Sequence, residues 1–284
     1  MKNYLIINQF NSGESFVKVY NALKKAFNAQ GEKLEVLTNV KAKRLISEGG
    51  NGAPILFWDK DVYLAKLLEK SGYRCVNSAF TIETCDDKAK TYLELLGKVP
   101  QPKTLLAPFT FDGYAYSDLS FLKDIIQDFN FPVVVKENKG SFGAQVYLAN
   151  DFSELEKLVL SFGHCDFLIQ EFISSSQGKD VRVYVVGGKV VAYALRYNER
   201  DFRSNVNNGG MMKKVELSQE YANVAIKACE CLQADFAGVD LLIGENGPVV
   251  CEVNSNAHFN ALTEVTGVDV AEKIAKYFLS LKVN

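Results

Sequence analysis

Short apolar runs and helical repeats alternate through the first 85 residues, and this alternation restricts the chain to few folds. Apolar runs typical of strands occupy residues 4–7, 34–37, 54–58 and 73–76. Between the first two runs, apolar residues recur at helical spacing from Phe16 to Phe27, which predicts an amphipathic helix. A second helix, beginning near Val62, is predicted to stop near Gly72. Because strands separated by helices form parallel sheets, we expect a small parallel α/β domain here.

Hairpin patterns replace this alternation in the rest of the chain. Pro100 and Pro102 follow a predicted helix over residues 86–96 and indicate a boundary. Strands are predicted at residues 104–107, 132–136, 145–148, 167–170, 180–186, 189–196, 236–243 and 249–253, and helices at residues 117–129, 151–161, 218–232 and 268–281. Residues 198–210 are polar and glycine-containing, which indicates a loop of the length usually reserved for function. The whole chain is therefore predicted to be of the α/β class.

Charge and cysteine content exclude some classes of protein. Lys and Arg total 32, Asp and Glu total 34, and the formal net charge is −2, which excludes a generally basic, nonspecific nucleic-acid binder. No apolar stretch reaches the roughly 18 residues that a transmembrane helix needs, so we expect no membrane partner. The six cysteines form no Cys-x-x-Cys pair and suit a reduced, cytoplasmic compartment.

Polar side chains on the last predicted hairpin form the first candidate site. If residues 244–248 form a five-residue loop, Asp240 faces Glu252 across the ladder, and Asn254 lies on the same face as Glu252. Two neighbouring carboxylates repel unless a cation or a proton lies between them, and all-oxygen ligands suit Mg²⁺ or Mn²⁺. The alternative is an exposed polar sheet face, and a four-residue loop would break the alignment. In the same register, the alternate side chains of the hairpin point into a core, and these are Leu241, Ile243, Val249, Cys251 and Val253.

A lysine and a glycine turn form the second candidate site. Lys136 ends a predicted strand of three valines and precedes the turn at residues 137–143. The backbone amides of such a turn can cradle phosphate oxygens while the ammonium group offsets their charge. An ordinary hairpin turn with a lysine at the strand end is the alternative.

Two further segments carry residue types that suit a nucleotide or an acid. The strand end at residues 170–173 offers backbone groups and the Phe172 ring to a planar base, and a solvated loop is the alternative. In the long polar loop, the Arg203 guanidinium can clamp a carboxylate or a phosphate, and a solvated basic loop is the alternative. His258 lies four residues beyond Asn254, and its role in substrate binding stays open.

Taken in order, the motifs of the chain match a known family. They are Asp87-Lys88, the strand and glycine turn at residues 133–143, Gln170-Glu171-Phe172, Asp180-Val181-Arg182, Val185-Val186-Gly187-Gly188, Asp201-Phe202-Arg203-Ser204-Asn205, Gly209-Gly210, Ala237-Gly238-Val239-Asp240 and Glu252-Val253-Asn254. This set resembles the ATP-grasp ligases, and within them the RimK-like glutamate ligases, over residues 86–284. The first 85 residues fit the family's smaller N-terminal domain in pattern only.

The resemblance implies a fold and a domain organisation. It implies an ATP-grasp fold preceded by a small parallel α/β domain, the pre-ATP-grasp domain, at residues 1–85. A central subdomain at residues 86–173 and a C-terminal subdomain at residues 174–284 would hold ATP between them.

The resemblance also implies a role for each matching residue. The ATP phosphates would be contacted by Lys88 and Lys136, and the nucleotide site would be completed by Ser141, Gly143 and Gln170. The adenine would be held by Glu171 and Phe172, and the ribose by Asp180. The phosphates and the reacting carboxyl group would be reached by Arg203, Ser204 and Asn205. Mg²⁺ or Mn²⁺, as two ions, would be held by Asp240, Glu252 and Asn254.

The activity implied is that of an ATP-dependent carboxylate–amine ligase working through an acyl phosphate. Arg203 would act catalytically by offsetting charge on the transferred phosphoryl group. The amino acid added would be glutamate or a relative, and the acceptor a small amino acid, a peptide or a protein C-terminus. Two alternatives stay open: a ligase acting on a free small acid or cofactor precursor, and a non-catalytic ATP-binding regulatory protein. A homo-oligomer also stays open.

Two segments depart from the family pattern. After the Glu-Val-Asn motif such ligases often continue through a Ser-Pro-Gly turn, whereas this chain has Ser-Asn-Ala-His-Phe at residues 255–259. Before Gly209 the family often carries basic residues, whereas this chain has Asn207 and Asn208. In the family the first segment lies beside the reacting groups, so this departure allows a substrate other than glutamate.

Overall fold

Three β-sheets, one after another along the chain, organise the computed structural model, which describes residues 2–140, 143–205 and 209–282. Within these ranges, every helix is too short or too polar to cross a membrane. The predicted Ser141, Asn207 and Asn208 lie outside the described residues.

The first sheet is parallel, as the alternation of strands and helices predicted. Its strands and helices are β1 (Asn3–Ile7), α1 (Glu14–Ala29), β2 (Leu34–Thr38), α2 (Asn39–Ala42), α3 (Arg44–Glu48), β3 (Pro54–Trp58), α4 (Val62–Lys70), β4 (Arg74–Val76) and α5 (Ala79–Cys85). The strand order is β2-β1-β3-β4, and every pair runs parallel. The chain therefore adds β2 on one side of β1, and then crosses over to add β3 and β4 on the other side.

The second sheet is antiparallel. It follows α6 (Lys88–Leu95) and comprises β5 (Thr104–Leu106), α7 (Ser120–Ile125), β6 (Val133–Glu137), β7 (Val146–Ala149), α8 (Phe152–Phe162) and β8 (Phe167–Glu171). The strand order is β5-β8-β6-β7. The helix predicted over residues 117–129 is shorter in the structure. After the helix the chain forms a turn, in which the Phe129 amide donates to the Ile126 carbonyl at 2.9 Å. Phe129 therefore packs against the apolar core of this sheet although it lies outside the helix.

The third sheet is also antiparallel and is the largest. It comprises β9 (Lys179–Val186), β10 (Lys189–Tyr197), β11 (Met211–Lys213), α9 (Gln219–Cys231), β12 (Phe236–Gly244), β13 (Gly247–Asn254), α10 (Asn260–Thr266) and α11 (Val270–Ser280). The strand order is β11-β10-β9-β12-β13, which places β9 at the centre. The sequence did not predict β11 or α10.

The hairpin of β12 and β13 differs from the prediction in its turn and agrees with it at the carboxylates. The predicted five-residue loop is wrong, because Gly244 pairs with Gly247 and only two residues connect the strands. Between Leu241 and Asp240 the pairing shifts by one residue, because Leu241 pairs with Val250 and Asp240 pairs with Glu252. This shift offsets the shorter turn, so the predicted pairing of Asp240 with Glu252 is present. The extra residue in the shifted strand is Cys251, which lines a cavity and does not enter the core as predicted.

One apolar core joins the first sheet to the third. The Trp58 and Phe236 rings stack with centroids 5.3 Å apart and planes 12° apart. The Phe27 and Phe278 rings meet with centroids 5.5 Å apart, which joins α1 to α11. Leu95 of α6 packs in the core beneath the third sheet, although the sequence assigned it to the central subdomain. The subdomain boundaries themselves stay a prediction.

We expect the six free cysteines to differ strongly in reactivity. Cys165 is exposed, whereas Cys75, Cys85 and Cys229 are buried. Burial raises the pKa of these three thiols, to about 12 for Cys229, and the thiolate is the reactive form. Brief alkylation of the native protein at pH 8, followed by peptide mass spectrometry, should label Cys165 first. A Cys165→Ser variant is the control, and rapid labelling of Cys75 in native protein would contradict the packing.

Candidate active site

A cavity that opens to solvent, with about 770 Å³ of space including its open mouth, lies between the second and third sheets. It is lined by twelve of the fourteen residues predicted for the site: Lys88, Lys136, Gly143, Gln170, Glu171, Phe172, Asp180, Arg203, Ser204, Asn205, Asp240 and Glu252. Of the other two, Ser141 lies outside the described residues and Asn254 ends β13 beside the lining. The structure therefore gathers residues from positions 88 to 252 around one space.

One end of the cavity has an apolar wall and a hydrogen-bonded strand end. The Phe172 and Phe202 rings meet edge to face with centroids 6.4 Å apart. The Glu171 carboxylate accepts from the Lys103 backbone amide at 2.7 Å, and the Gln170 amide donates to Thr104 Oγ1 at 2.8 Å. These bonds hold β8 against β5, so the end of β8 is a rigid edge beside an apolar wall. Such an edge suits a flat heterocycle.

Two lysines, one buried and one half-buried, approach the middle of the cavity from different elements. Lys136 is the penultimate residue of β6, and its Nζ lies 3.6 Å from the Cys251 Sγ. Lys88 opens α6, and its Nζ lies 3.5 Å from the Gly140 carbonyl oxygen. Burial and the charge of Lys136 lower the pKa of Lys88, while Glu252 opposes this shift. Because ammonium groups repel, an anion between them would be stabilised, and a polyphosphate supplies that charge.

Charged side chains pair across three strands at the cavity floor. Arg182 on β9 opposes Asp240 on β12, and its Nε and Nη2 donate to the carboxylate, the latter at 2.8 Å. Arg196 on β10 opposes Asp180, donating from Nε at 2.7 Å and from Nη2 at 2.5 Å. Arg196 Nη2 also lies 2.8 Å from Asp240 Oδ2. The Ser204 hydroxyl donates to Asp180. The four charges therefore balance inside the sheet.

The paired side chains Arg182, Asp240, Arg196 and Asp180 form a charge ladder, which determines the protonation state of Asp240. Burial acts to raise the pKa of Asp240, but Arg182 and Arg196 hold it below its usual range. The carboxylate is therefore ionised at neutral pH. Asp180 is engaged by Arg196 and Ser204, so a contact with ribose would have to share its oxygens, and that role stays a prediction.

The two arginines of the ladder were not predicted as site residues. Arg182 sits in the Asp-Val-Arg motif, and Arg196 ends a predicted strand. Their pairing depends on a register shift in the β9–β10 hairpin between Val190 and Ala192. Without this shift Arg196 would oppose Lys179 and would point to the other face of the sheet. The sequence gives no local signal for the shift.

The oxygen groups predicted for a metal ion fit a hard divalent cation. Asp240 opposes Glu252, and Asn254 lies two residues farther along the same strand face. An ionised carboxylate has about four lone pairs. The arginines use three at Asp240, which leaves one on Oδ1 for a cation. Among the described residues no group of three His, Cys, Asp or Glu side chains converges, so the candidate rests on two carboxylates and the Asn254 amide.

Arg203 connects the long polar loop to the glycine turn. Its Nη1 donates to the Gly143 carbonyl at 2.8 Å, and its Nη2 donates to Asp201 at 2.7 Å. The hydrogen bond to Asp201 raises the pKa of Arg203. A Cβ at Gly210 would lie 2.1 Å from the Ser204 carbonyl oxygen, so only glycine fits this end of the loop. Residues 202–205 of the loop thus line the cavity, and contact of Arg203 with phosphates stays a prediction.

The segment after Asn254 lies against the first sheet. The Asn256 amide donates to the Asp59 carbonyl at 3.0 Å. The His258 ring meets the Phe16 ring edge to face with centroids 4.4 Å apart, and burial and Arg182 lower the pKa of His258. The first sheet and its helices therefore border the site on this side. The role of His258 stays open.

Comparison with known proteins identifies the family. A family model described as "RimK-like ATP-grasp domain" matches residues 85–278. The chain is 31% identical over 279 residues to a "Probable alpha-L-glutamate ligase" of Maridesulfovibrio salexigens, covering 90% of each chain. It is 37% identical over 230 residues to human "N-acetylaspartylglutamate synthase A", covering 80% of this chain and 57% of the synthase.

A solved structure agrees with these matches. The crystal structure of a RimK domain ATP-grasp protein from Sphaerobacter thermophilus has a TM-score of 0.71 and 22% identity, and covers 98% of this chain and 99% of that chain. The predicted fold class is thereby confirmed. Because the family model spans more than half of the residues, the chain belongs to the RimK-like ATP-grasp family.

Proposed function

We propose that this protein is an ATP-dependent carboxylate–amine ligase that joins glutamate or a related amino acid to an acid through an acyl phosphate. The observation that carries the proposal is the single cavity in which the lysines, the charge ladder and the carboxylates meet. Membership of a ligase family supports it, as do the names of the two relatives.

We propose one orientation for ATP in the cavity. The adenine would lie against the end of β8 and Phe172, at the apolar end. The phosphates would lie between Lys88 and Lys136, whose charges they offset. Asp240, Glu252 and Asn254 would hold Mg²⁺ or Mn²⁺, as two ions, which offset negative charge on the phosphates. The reacting γ-phosphate would thus lie at the Glu252 side of the cavity.

Catalysis of this reaction depends on positioning the substrates and on offsetting the charge of the transferred phosphoryl group, rather than on a nucleophilic side chain. An oxygen of the substrate carboxylate attacks the γ-phosphorus, the bond to the bridging oxygen breaks, and ADP leaves. Arg203 and the lysines offset charge on the transferred group. The amine of the second substrate then attacks the acyl carbon, phosphate departs, and the amine loses a proton. No step requires a covalent bond to the protein.

The acid acceptor is proposed to be a free small molecule. The human relative is named for a small product, an acetylated dipeptide, which favours this alternative over a peptide or protein C-terminus. Free thiols at all six cysteines support a cytoplasmic location. The third alternative, a regulator that binds ATP without ligation, predicts nucleotide binding with no ADP release across a panel of acids and amines.

We expect ATP with Mg²⁺ to raise the melting temperature of the protein by several degrees. A ligand at about 100 times its Kd adds roughly 2.7 kcal/mol, and each kcal/mol shifts Tm by about 2–4 °C for a chain of this size. The measurement is a thermal melt with ATP, with and without Mg²⁺, on the wild type and on Glu252→Ala. The variant should lose the Mg²⁺-dependent part of the rise. No rise with any nucleotide in a folded sample would contradict the ligase proposal.

A further inference from the structure

One buried asparagine joins the first sheet to both strands of the β12–β13 hairpin. Asn77 directly follows β4, and its side chain is fully buried. Its side-chain amide donates to the Phe236 carbonyl at 2.8 Å and to the Ser255 carbonyl at 2.9 Å. Its Oδ1 accepts from the Asp235 backbone amide at 2.8 Å and from the Phe236 backbone amide at 3.2 Å. An asparagine side chain has two donor hydrogens and two acceptor positions, so the start of β12 and the end of β13 engage all four.

The contact with Ser255 lies next to a proposed metal ligand. Asn254 is the last residue of β13, and it pairs with Gly238 of β12. Among the described strands, β13 stands at the end of the order in its sheet, so it is paired on one edge. The end of such a strand opens easily, because few backbone hydrogen bonds hold it. The Ser255 carbonyl is the first backbone acceptor beyond the strand, and Asn77 holds it.

The chain beyond Ser255 turns back closely over β12. A Cβ at Gly238 would lie 2.6 Å from the Ala257 Cβ, so the two segments touch where Asn254 pairs with Gly238. The Tyr184 hydroxyl donates to the Ala257 carbonyl at 3.1 Å and fixes the far end of this turn. The near end, directly after the ligand, is fixed by Asn77. The direction in which the Asn254 side chain leaves the strand therefore depends on this hydrogen bond.

A second buried side chain also joins the two sheets, but at another place. The Thr81 hydroxyl donates to the Leu232 and Gln233 carbonyls, both at 3.0 Å. These carbonyls belong to the connection between α9 and β12, which precedes the hairpin. Asn77 binds the same connection and, in addition, the chain after β13. The bond to Ser255 therefore distinguishes Asn77 from a residue that only holds the sheets together.

We propose that Asn77 is a positioning residue for the metal site, which orients the Asn254 side chain by fixing the Ser255 carbonyl. The inference rests on the proposed function, in which Asp240, Glu252 and Asn254 hold Mg²⁺ or Mn²⁺. Groups that hold a metal ligand in place without touching the metal typically change affinity or activity by roughly 10- to 100-fold when they are removed. The first sheet thus contributes to metal binding without supplying a ligand.

The test is the gain in nucleotide affinity that Mg²⁺ provides. Calorimetric titration with a non-hydrolysable ATP analogue gives its Kd with and without Mg²⁺, and the ratio of the two values reports metal binding in the site. For Asn77→Ala we expect this ratio to fall on the order of 10-fold, with the Kd in the absence of Mg²⁺ unchanged. A merely structural Asn77 would change both Kd values together and leave the ratio as it is in the wild type.

Thr81→Val is the matched control, because it removes hydrogen bonds between the same two sheets. Valine has nearly the shape of threonine, and the Leu232 and Gln233 carbonyls lose their donor, so Tm should fall. The Mg²⁺-dependent ratio should stay that of the wild type. An unchanged ratio in Asn77→Ala, or an equal fall of the ratio in Thr81→Val, would overturn the proposal.

Hydrogen exchange in the wild type tests the same coupling if Asn77→Ala does not fold. Coupling between two sites is reciprocal, so Mg²⁺ held by Asn254 should stabilise the hydrogen bonds of Asn77. We expect Mg²⁺, added to protein that already contains the ATP analogue, to slow exchange of the Asp235 and Phe236 amides, which donate to Asn77. The Ala234 amide, which donates to the Cys229 carbonyl at 2.9 Å, is the control and should not respond. Exchange at Asp235 and Phe236 that ignores Mg²⁺ would overturn the proposal.

Failure of this inference can be told apart from failure of the proposed function. If Mg²⁺ tightens binding of the analogue equally in the wild type and in Asn77→Ala, only the role of Asn77 is refuted. If the ratio falls in the variant, yet no acid and amine produce ADP release in the wild type, only the ligase is refuted. If Mg²⁺ has no effect on binding to the wild type, the metal site and the role of Asn77 are both refuted.

Discussion

Replacing Glu252 with Gln should lower kcat for ligation on the order of 10²- to 10³-fold, the effect of removing one group that stabilises charge in a transition state. Two of the three proposed metal ligands are carboxylates, and the Asp240 oxygens already accept three bonds from arginines. Glu252 opposes Asp240, and no described residue forms an ion pair with it. The negative charge of Glu252 is thus the one available to a cation.

Turnover is measured as ADP release with a panel of acids and amines, and the product is identified by mass. Gln keeps the shape of Glu252, so Tm without ligands should not change. Glu245→Gln, in the exposed turn of the same hairpin, is the matched control and should retain full activity. Full activity of Glu252→Gln would remove the metal assignment and leave the nucleotide assignment standing.

The parts of this site that lie on regular strands could be predicted from the sequence. Side chains alternate along a strand, so the Glu-x-Asn spacing alone puts Glu252 and Asn254 on one face. The valine run before Lys136 marks a buried strand, and the observed β6 ends at Glu137. The short α2, α3 and α10 helices escaped prediction because four to seven residues are too few to show an apolar period.

The parts that depend on register between strands could not be predicted in the same way. The five-residue loop was wrong, yet Asp240 and Glu252 face each other because the extra residue Cys251 offsets the shorter turn. A one-residue slip reverses every side chain, so without the shift Asp240 would oppose Cys251. Such shifts arise from the packing of whole strands and leave no mark in local composition. The charge ladder, which needs a second shift in β10, was missed for the same reason.

The same ladder leads to the largest expected effect on stability, because Arg196 compensates two buried carboxylates. Replacing it with Met should lower the free energy of unfolding by about 3–5 kcal/mol, the cost of leaving a buried charge unpaired. Arg196 and both its partners, Asp180 and Asp240, are buried. Urea unfolding followed by circular dichroism measures the change. Arg200→Met, on the exposed loop, is the control and should be neutral.

The loss caused by Arg196→Met should shrink as the pH falls. The arginines depress the pKa of Asp240 in the folded wild type, so their stabilisation is present above the unfolded pKa and is lost as pH falls through the folded value. In the variant, Asp240 keeps only Arg182 as a partner, so it protonates at a higher pH than in the wild type and part of the unpaired charge disappears. Adding Asp180→Asn to Arg196→Met should restore part of the stability at pH 7. A loss that is the same at pH 7 and pH 4 would show that Arg196 acts by packing and not by charge.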